Sequence, residues 1–337
     1  MADRRKKATQ WDVARRAGVS QATVSLVLGA SSGLSIQAKT SARVREVARE
    51  LGYAPNHFAQ ALRTQRTKTV AVVVPDINNP FFPSLLRGVQ SITDRAGYDV
   101  IAINTDGDAE REQRFLRWSL EGRVDGVVGV FFTLHAEDFR PLATTGVGVV
   151  RIESSLRKAG EIPIDNISVD NRGAAAAATR YLLDRGHRRI AMIAGPGGPQ
   201  GERAAGYQLA LAERGLAPDV VDGAEFNEHG GRKATLTLLA RLDRPTAIFA
   251  ANDLMAIGAM STLRDHGVAV PRDVAVVGFD DIFVARLVTP SLTTVSQFQH
   301  DLGVTAAETL LDRLTGAMVP WGTSREMPYR LIEREST

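Results

Sequence analysis

The chain has no cysteine in 337 residues. That excludes disulfides, thiolate metal sites and a cysteine nucleophile. It also fits a reducing cytoplasm, where the protein is expected to reside. The six histidines, His57, His135, His187, His229, His266 and His300, show no H-x-x-x-H spacing, so no metal site is expected, nor is any other cofactor. No window approaches the ~18 apolar residues of a membrane span. No apolar signal-peptide core follows the opening Met1-Ala2-Asp3-Arg4-Arg5-Lys6-Lys7, so export is not expected. What is present suits a globular protein: 44% hydrophobic residues can bury a sizeable core, and the length suggests about two or three domains.

The net charge of +3 hides an uneven distribution. Residues 1–66 hold 12 Lys+Arg and 4 Asp+Glu, leaving 29 basic and 34 acidic residues over 67–337. A short basic head joined to a mildly acidic body suggests an anion-binding module, most often for nucleic acid, on a body with another task.

Within the head, Thr9-Gln10-Trp11-Asp12 has the form of a helix start, with Thr9 as cap and Asp12 three positions on. Val13, Ala14 and Ala17 make an apolar stripe, and Gly18 is placed to end the helix with φ > 0. Ser20 caps a second short helix over 21–28, with Val24, Val27 and Leu28 inward. A third helix follows, with Val44, Val47, Ala48 and Leu51 on its apolar face and Gly52 after it. Two short helices joined through a glycine turn form a helix-turn-helix. Such pairs also occur in proteins that never touch DNA; the basic charge and the small polar residues on the second helix favour DNA. In that arrangement the start of the second helix enters the major groove. Gln21 then reads a base edge and Ala22 meets a thymine methyl. Thr9, Trp11, Ser20, Thr23, Ser25 and Asn56 serve phosphate positioning. The stretch after Tyr53 reads as a short helix with Pro55 in its first turn, one that would be marginal alone, and 63–68 read as a linker.

Beyond residue 69 the pattern alternates. Apolar runs at 70–74, 100–103, 127–131, 147–152, 190–194, 247–251 and 274–279 read as buried parallel strands. Helices lie between them, such as those over 82–95, 111–120, 174–185, 203–214 and 254–266. Alternating strands and helices indicate α/β domains with parallel sheets. Ligands sit beyond the C-terminal ends of such strands. There lie Asp76, Asn79, Phe81, Phe82, Glu153, Arg203, Asn252, Asp253, Asp280 and Asp281. Carboxylates, an amide, a guanidinium and aromatic rings suit a polar, hydroxylated ligand. Each also has a plain structural alternative: Asn252 or Asp253 as a helix cap, Asp280 and Asp281 as turn residues, the phenylalanines as core.

The runs Asp12-Val13-Ala14, Ala17-Gly18-Val19-Ser20 and Thr23-Val24-Ser25 resemble the head of the Lac repressor/galactose repressor family. Leu51-Gly52-Tyr53, Val74-Pro75-Asp76-Ile77-Asn78-Asn79-Pro80-Phe81-Phe82, Gly206-Tyr207, Ala251-Asn252-Asp253, Val277-Gly278-Phe279-Asp280-Asp281 and Leu292-Thr293-Thr294-Val295 continue the likeness in the family's order. The resemblance implies an all-α helix-turn-helix DNA-binding head over 1–54, and a hinge helix and linker over 55–68. It also implies an α/β two-lobed body over 69–337, built of parallel doubly wound sheets and similar to periplasmic binding proteins. The N-lobe is expected at about 69–166 and 296–325, the C-lobe at about 167–295 and 326–337. Ala59 and Leu62 match the hinge positions in the minor groove, where an apolar wedge unstacks a base step. Many members carry Arg where this chain has Leu26 on the reading helix; Leu cannot donate to guanine, so base preference there should differ. Arg203, Asn252, Asp280 and Glu153 match effector-binding positions, and Phe226 matches an aromatic that packs on the ligand. The implied partners are operator double-stranded DNA, a small-molecule effector such as a sugar or polyol, and a second copy in a homodimer. A dimer is favoured over a tetramer because no leucine-heptad extension appears by Thr337.

Gly29-Ala30-Ser31-Ser32-Gly33 spells G-x-S-x-G but follows a helix, not the strand a hydrolase elbow needs. Gly195-Pro196-Gly197-Gly198-Pro199 contains two prolines, which remove donors a phosphate loop requires, and no P-loop lysine follows. No acid/base or nucleophile constellation appears, so catalysis is not expected. The rival reading is a solute-binding or sugar-modifying protein whose helical head does not bind DNA.

Overall fold

A computed structural model describes residues 8–28, 36–54, 61, 64–158, 160–223 and 225–337. The expected loop over 29–35 and the hinge residues Asn56, Ala59 and Leu62 lie outside these. The chain divides into two units between Thr67 and Lys68.

In the head, α1 (Gln10–Ala17) begins with a reciprocal cap: Thr9 Oγ1 accepts the Asp12 N–H and the Asp12 carboxylate accepts the Thr9 N–H at 2.9 Å. Gly18 ends it at φ 60°, a conformation glycine adopts without a Cβ clash. Helix α2 (Gln21–Leu28) starts where Ser20 Oγ accepts the Thr23 N–H at 3.1 Å. Helix α3 (Ala38–Glu50) completes a small core of Val13, Ala14, Ala17, Val24, Val27, Val44, Val47 and Ala48.

The body runs β1 (Thr69–Val74), α4 (Phe81–Thr93), β2 (Asp99–Asn104), α5 (Ala109–Trp118), β3 (Gly126–Gly129), α6 (Arg140–Thr144), β4 (Gly148–Glu153) and β5 (Ile164–Val169). Then follow α7 (Asn171–Asp184), β6 (Ile190–Ala194), α8 (Gln200–Ala212), β7 (Asp219–Asp222), α9 (Glu228–Leu239), β8 (Ala247–Ala250), α10 (Asp253–Asp265) and β9 (Ala275–Val277). The last elements are β10 (Thr294–Ser296), α11 (Gln299–Thr315), β11 (Ser324–Met327) and β12 (Arg330–Ile332). One sheet has the order β11-β5-β4-β3-β1-β2, the other β7-β6-β8-β9, and every pairing in both is parallel. This is the expected class, two parallel α/β lobes. The chain passes between lobes three times: after β5, through β10, and between β11 and β12, with β10 and β12 pairing antiparallel.

Each of the seven apolar runs contributes a strand. The third ends at Gly129, earlier than its run, because Phe131 turns aside to stack on Phe115 and meet Phe139 edge-on. Strand β5 has no such run. Its Asp165 is fully buried and held by Arg313 of α11 at 2.6 and 2.9 Å and by the Thr323 hydroxyl at 2.6 Å, so a charge sits inside a strand because it is fully paired. Helix α11 packs backbone-close on α4: a Cβ on Gly88 would collide with the His300 carbonyl, and one on Gly303 with that of Leu85.

Candidate functional site

The second helix of the head forms over the expected residues. Ala22 is exposed, Gln21 half-buried with its amide donating to Gln10 Oε1 at 3.2 Å, and Leu26 half-buried. Trp11 is 65% exposed at the start of α1. The hydroxyls of Thr9 and Ser20 already serve as helix caps, and Ser20 Oγ lies 2.9 Å from Thr23 Oγ1. Ser25 is half-buried on α2. Arg15, Arg16, Lys39, Arg43, Arg45 and Arg49 are all exposed, which makes the described surface of the head basic.

In the body a cavity of about 830 Å³ opens where the C-terminal ends of strands from both sheets face one another. It brings together Asp76, Phe81, Phe82, Glu153, Arg203, Phe226 and Asp280. Strand-end loops position these side chains. Phe81 and Phe82 open α4 with rings 5.1 Å apart, edge to face. Phe226 precedes Asn227, which caps α9 by accepting the Gly230 N–H. Asp76 closes a tight turn by accepting the Asn78 N–H at 2.9 Å.

Arg203 is 3% exposed and engaged at every nitrogen. Nε donates to Asn171 Oδ1 at 2.8 Å, Nη1 to the Ala251 carbonyl, and Nη2 to Asp280 Oδ1 at 3.3 Å. Its guanidinium stacks 3.7 Å from the Phe279 ring centroid. Burial lowers the Arg203 pKa, opposed by the Asp280 and Asp253 charges. Asp280 sits at φ 120°, rare for a residue with a Cβ, and this backbone turns its carboxylate toward Arg203 and the Gln297 amide, which donates at 2.7 Å. Burial pushes the Asp280 carboxyl up to about 6, against the pull of Arg203 and Gln297. Behind it, Asp253 is also raised well above the usual carboxylate range, by burial and by the Asp280 charge; it accepts from Thr294 Oγ1 and, at 2.8 Å, from the Ile282 N–H.

Asn252 lies at the start of α10. It is fully buried, its Oδ1 accepts the Met255 N–H at 2.8 Å, and its Nδ2 donates to the Phe226 carbonyl at 2.9 Å. It thereby caps α10 and holds Phe226 in place, one layer behind the residues that line the cavity.

Among the lining residues that sequence patterning does not single out are Phe132, Arg151, Asn171 and Gln297. Asn171 lies two residues after β5 and Gln297 directly after β10, so recognising those two strands would have exposed them. Phe132 packs on Gly107 of its own lobe and on Gly197 and Gly198 of the other. Its loop is anchored by Glu112 of α5, a buried carboxylate that accepts the N–H groups of Phe132, Thr133 and Leu134 at 2.8, 3.0 and 3.1 Å. Among the described residues no cluster could hold a metal ion, and no helix is long and apolar enough to cross a membrane.

Residues 9–56 match the family described as bacterial regulatory proteins, lacI family, and residues 179–337 match a periplasmic binding protein-like domain. The ribose operon repressor of Escherichia coli (strain K12) is 35% identical over 316 residues, covering 91% of this chain and 93% of its own. A solved complex of the transcriptional regulator CelR with cellobiose is 33% identical, with a TM-score of 0.70 over 98% of this chain and 100% of that one. The crystal structure of the Lac repressor dimer bound to operator and the anti-inducer ONPF has a TM-score of 0.85 at 28% identity, over 98% and 99% of the two chains. With a capped helix-turn-helix in its N-terminal unit and a two-lobed, cleft-bearing body in the other, the chain belongs to the lacI family of bacterial regulatory proteins.

Proposed function

We propose that the chain is a cytoplasmic transcriptional repressor that binds a pseudo-palindromic operator as a homodimer and is controlled by a small neutral effector, a sugar or polyol, in the inter-lobe cleft. The head over 1–54 docks α2 in the major groove with Gln21, Ala22 and Leu26 at base edges. Segment 55–68, with Ala59 and Leu62, meets the minor groove. The relatives named above are regulators rather than enzymes, and no catalytic step is assigned. Among them are a ribose operon repressor and a regulator in complex with cellobiose, which supports a carbohydrate effector. The rival solute-binding or sugar-modifying reading has no comparable support.

The observation that carries this reading is the Arg203–Asp280 pair at the floor of a cavity shared by two lobes that the chain crosses between three times. A ligand bridging both walls favours one lobe angle over another, and a differential affinity of that kind is all that control of DNA binding requires. Fluorescence anisotropy with operator-like and random duplexes, with and without a panel of neutral sugars, tests it. Operator-selective binding that at least one sugar changes is expected. Equal affinity for both duplexes, unmoved by every sugar, would overturn the reading.

A further inference from the structure

The two walls of the cleft satisfy their polar groups to different degrees. On the C-lobe side each nitrogen of Arg203 has an acceptor. On the N-lobe side, Arg151 and Glu153 flank Ile152 on β4, so the two-residue period places both on one face of the strand. Their side chains are 8% and 9% exposed, and both line the cavity. Arg151 Nη2 donates to the Leu134 carbonyl at 2.9 Å and stands 2.7 Å from Glu153 Oε1. That approach lacks hydrogen-bond alignment, and Arg151 Nε and Glu153 Oε1 remain buried without partners. Each such group costs on the order of 1–3 kcal/mol, and folded proteins keep few of them. The Arg151 guanidinium is fixed from behind by the Phe139 ring, 5.5 Å away. The second Glu153 oxygen faces Arg157 Nε at 3.5 Å.

We propose that Arg151 and Glu153 together read one neutral hydroxyl of the effector, the Arg151 Nε–H donating to its oxygen and its proton going to Glu153 Oε1, which makes Arg151 the specificity-determining residue of the N-lobe wall. This rests on the cleft being the effector site. A hydroxyl is the smallest group that accepts and donates at once. A carboxylate or phosphate in that position meets the Glu153 charge, and an ammonium meets Arg151. A ligand lacking the hydroxyl leaves both groups unpaired, the situation in which polar sites discriminate most strongly.

The test follows the Arg151 Nε–H by NMR in the full-length protein while D-ribose, D-glucose, D-galactose and cellobiose are titrated beside ribose 5-phosphate, glucose 6-phosphate and galacturonate. At least one neutral sugar is expected to move that resonance saturably, and the acidic sugars are not. Arg151→Met should lower the affinity of that neutral sugar on the order of ten- to a hundredfold. Arg151→Lys keeps a cation beside Glu153 but lacks the Nε–H; it should lose affinity similarly, which separates loss of the donor from loss of the fold. Acidic sugars binding as well as neutral ones would overturn the proposal. So would a neutral sugar whose affinity drops in Arg203→Ala but holds in both Arg151 variants; that outcome spares the cleft reading. Binding indifferent to both arginines, or no saturable response to any neutral sugar, overturns the cleft reading and this proposal together.

Discussion

Arg15, Arg16, Lys39, Arg43, Arg45 and Arg49 stand exposed on the head, whereas Arg151 and Arg203 are buried in the body beside Glu153 and Asp280. Cationic side chains thus sit in two environments suited to two kinds of recognition. Exposed cations act at a distance on a polyanion and are screened by salt. Buried guanidiniums paired with carboxylates carry little net charge, act only at contact, and discriminate by geometry. The net charge of +3 describes neither region.

Salt separates the two regimes most strongly. If the head neutralises six to ten phosphates, raising salt from about 50 to 200 mM weakens operator binding by about 10³–10⁵. A neutral sugar in the cleft displaces no condensed counterions, so its affinity should stay within a factor of about two over that range. Anisotropy on operator and calorimetry on sugar check both halves; a flat operator response would remove the basic head as the reader.

Next in size is Arg203→Ala. Removing one partner of a buried pair destabilises by about 3–5 kcal/mol, here because Asp280 loses its cation. Effector response should vanish while operator affinity, measured well below the melting temperature, is retained. Response that survives would move the ligand away from this wall.

The pH dependence of the body is a smaller effect with a definite sign. Folded Asp280 holds its proton up to about 6, more tightly than an unfolded aspartate, so ionising it costs stability. On this account the body is most stable at pH values below the usual carboxylate range and weakens as pH rises through 6, by at most about 3 kcal/mol. Asp253, raised for the same reason, acts in the same direction. Thermal midpoints from pH 5 to 7 should fall for the natural chain and flatten for Asp280→Asn; an unchanged slope in that variant would detach the effect from Asp280.

How far these features were legible from sequence depended on whether a residue's partners are local. The Thr9–Asp12 cap and the Gly18 turn are written within ten residues, and the Val/Ile-rich strands announce themselves by composition. Strand β5 does not, because Asp165 is stabilised by Arg313, 148 positions away. Arg151 is hidden inside an apolar run, and only the strand period shared with Glu153 turns it toward the cleft. Glu112 reads as one more polar residue of an amphipathic helix, yet its acceptors face a loop 20 to 22 positions on. Asn252 shows both ranges at once: its Oδ1 serves the adjacent helix start, while its Nδ2 holds the Phe226 carbonyl 26 positions away. Strand-end logic located the cleft; only the topology shows which side chains in it still have a free donor or acceptor.

The smallest effect tests whether head and body are energetically as separate as they are in charge. Thr9→Ala removes a cap worth about 1 kcal/mol. In a head whose described core is eight small or branched apolar side chains, that is a large share of the stability, and a domain of such size shifts by roughly 4–8 °C per kcal/mol. Calorimetry on the full chain should show the head transition moving down by several degrees with the body transition in place. Operator binding at low temperature should weaken less than it does for Gln21→Ala, because Thr9 orders α1 and reads no base. A matching shift in the body transition would mean that the two units melt as one, and that division of the chain near Thr67 describes contacts but not cooperativity.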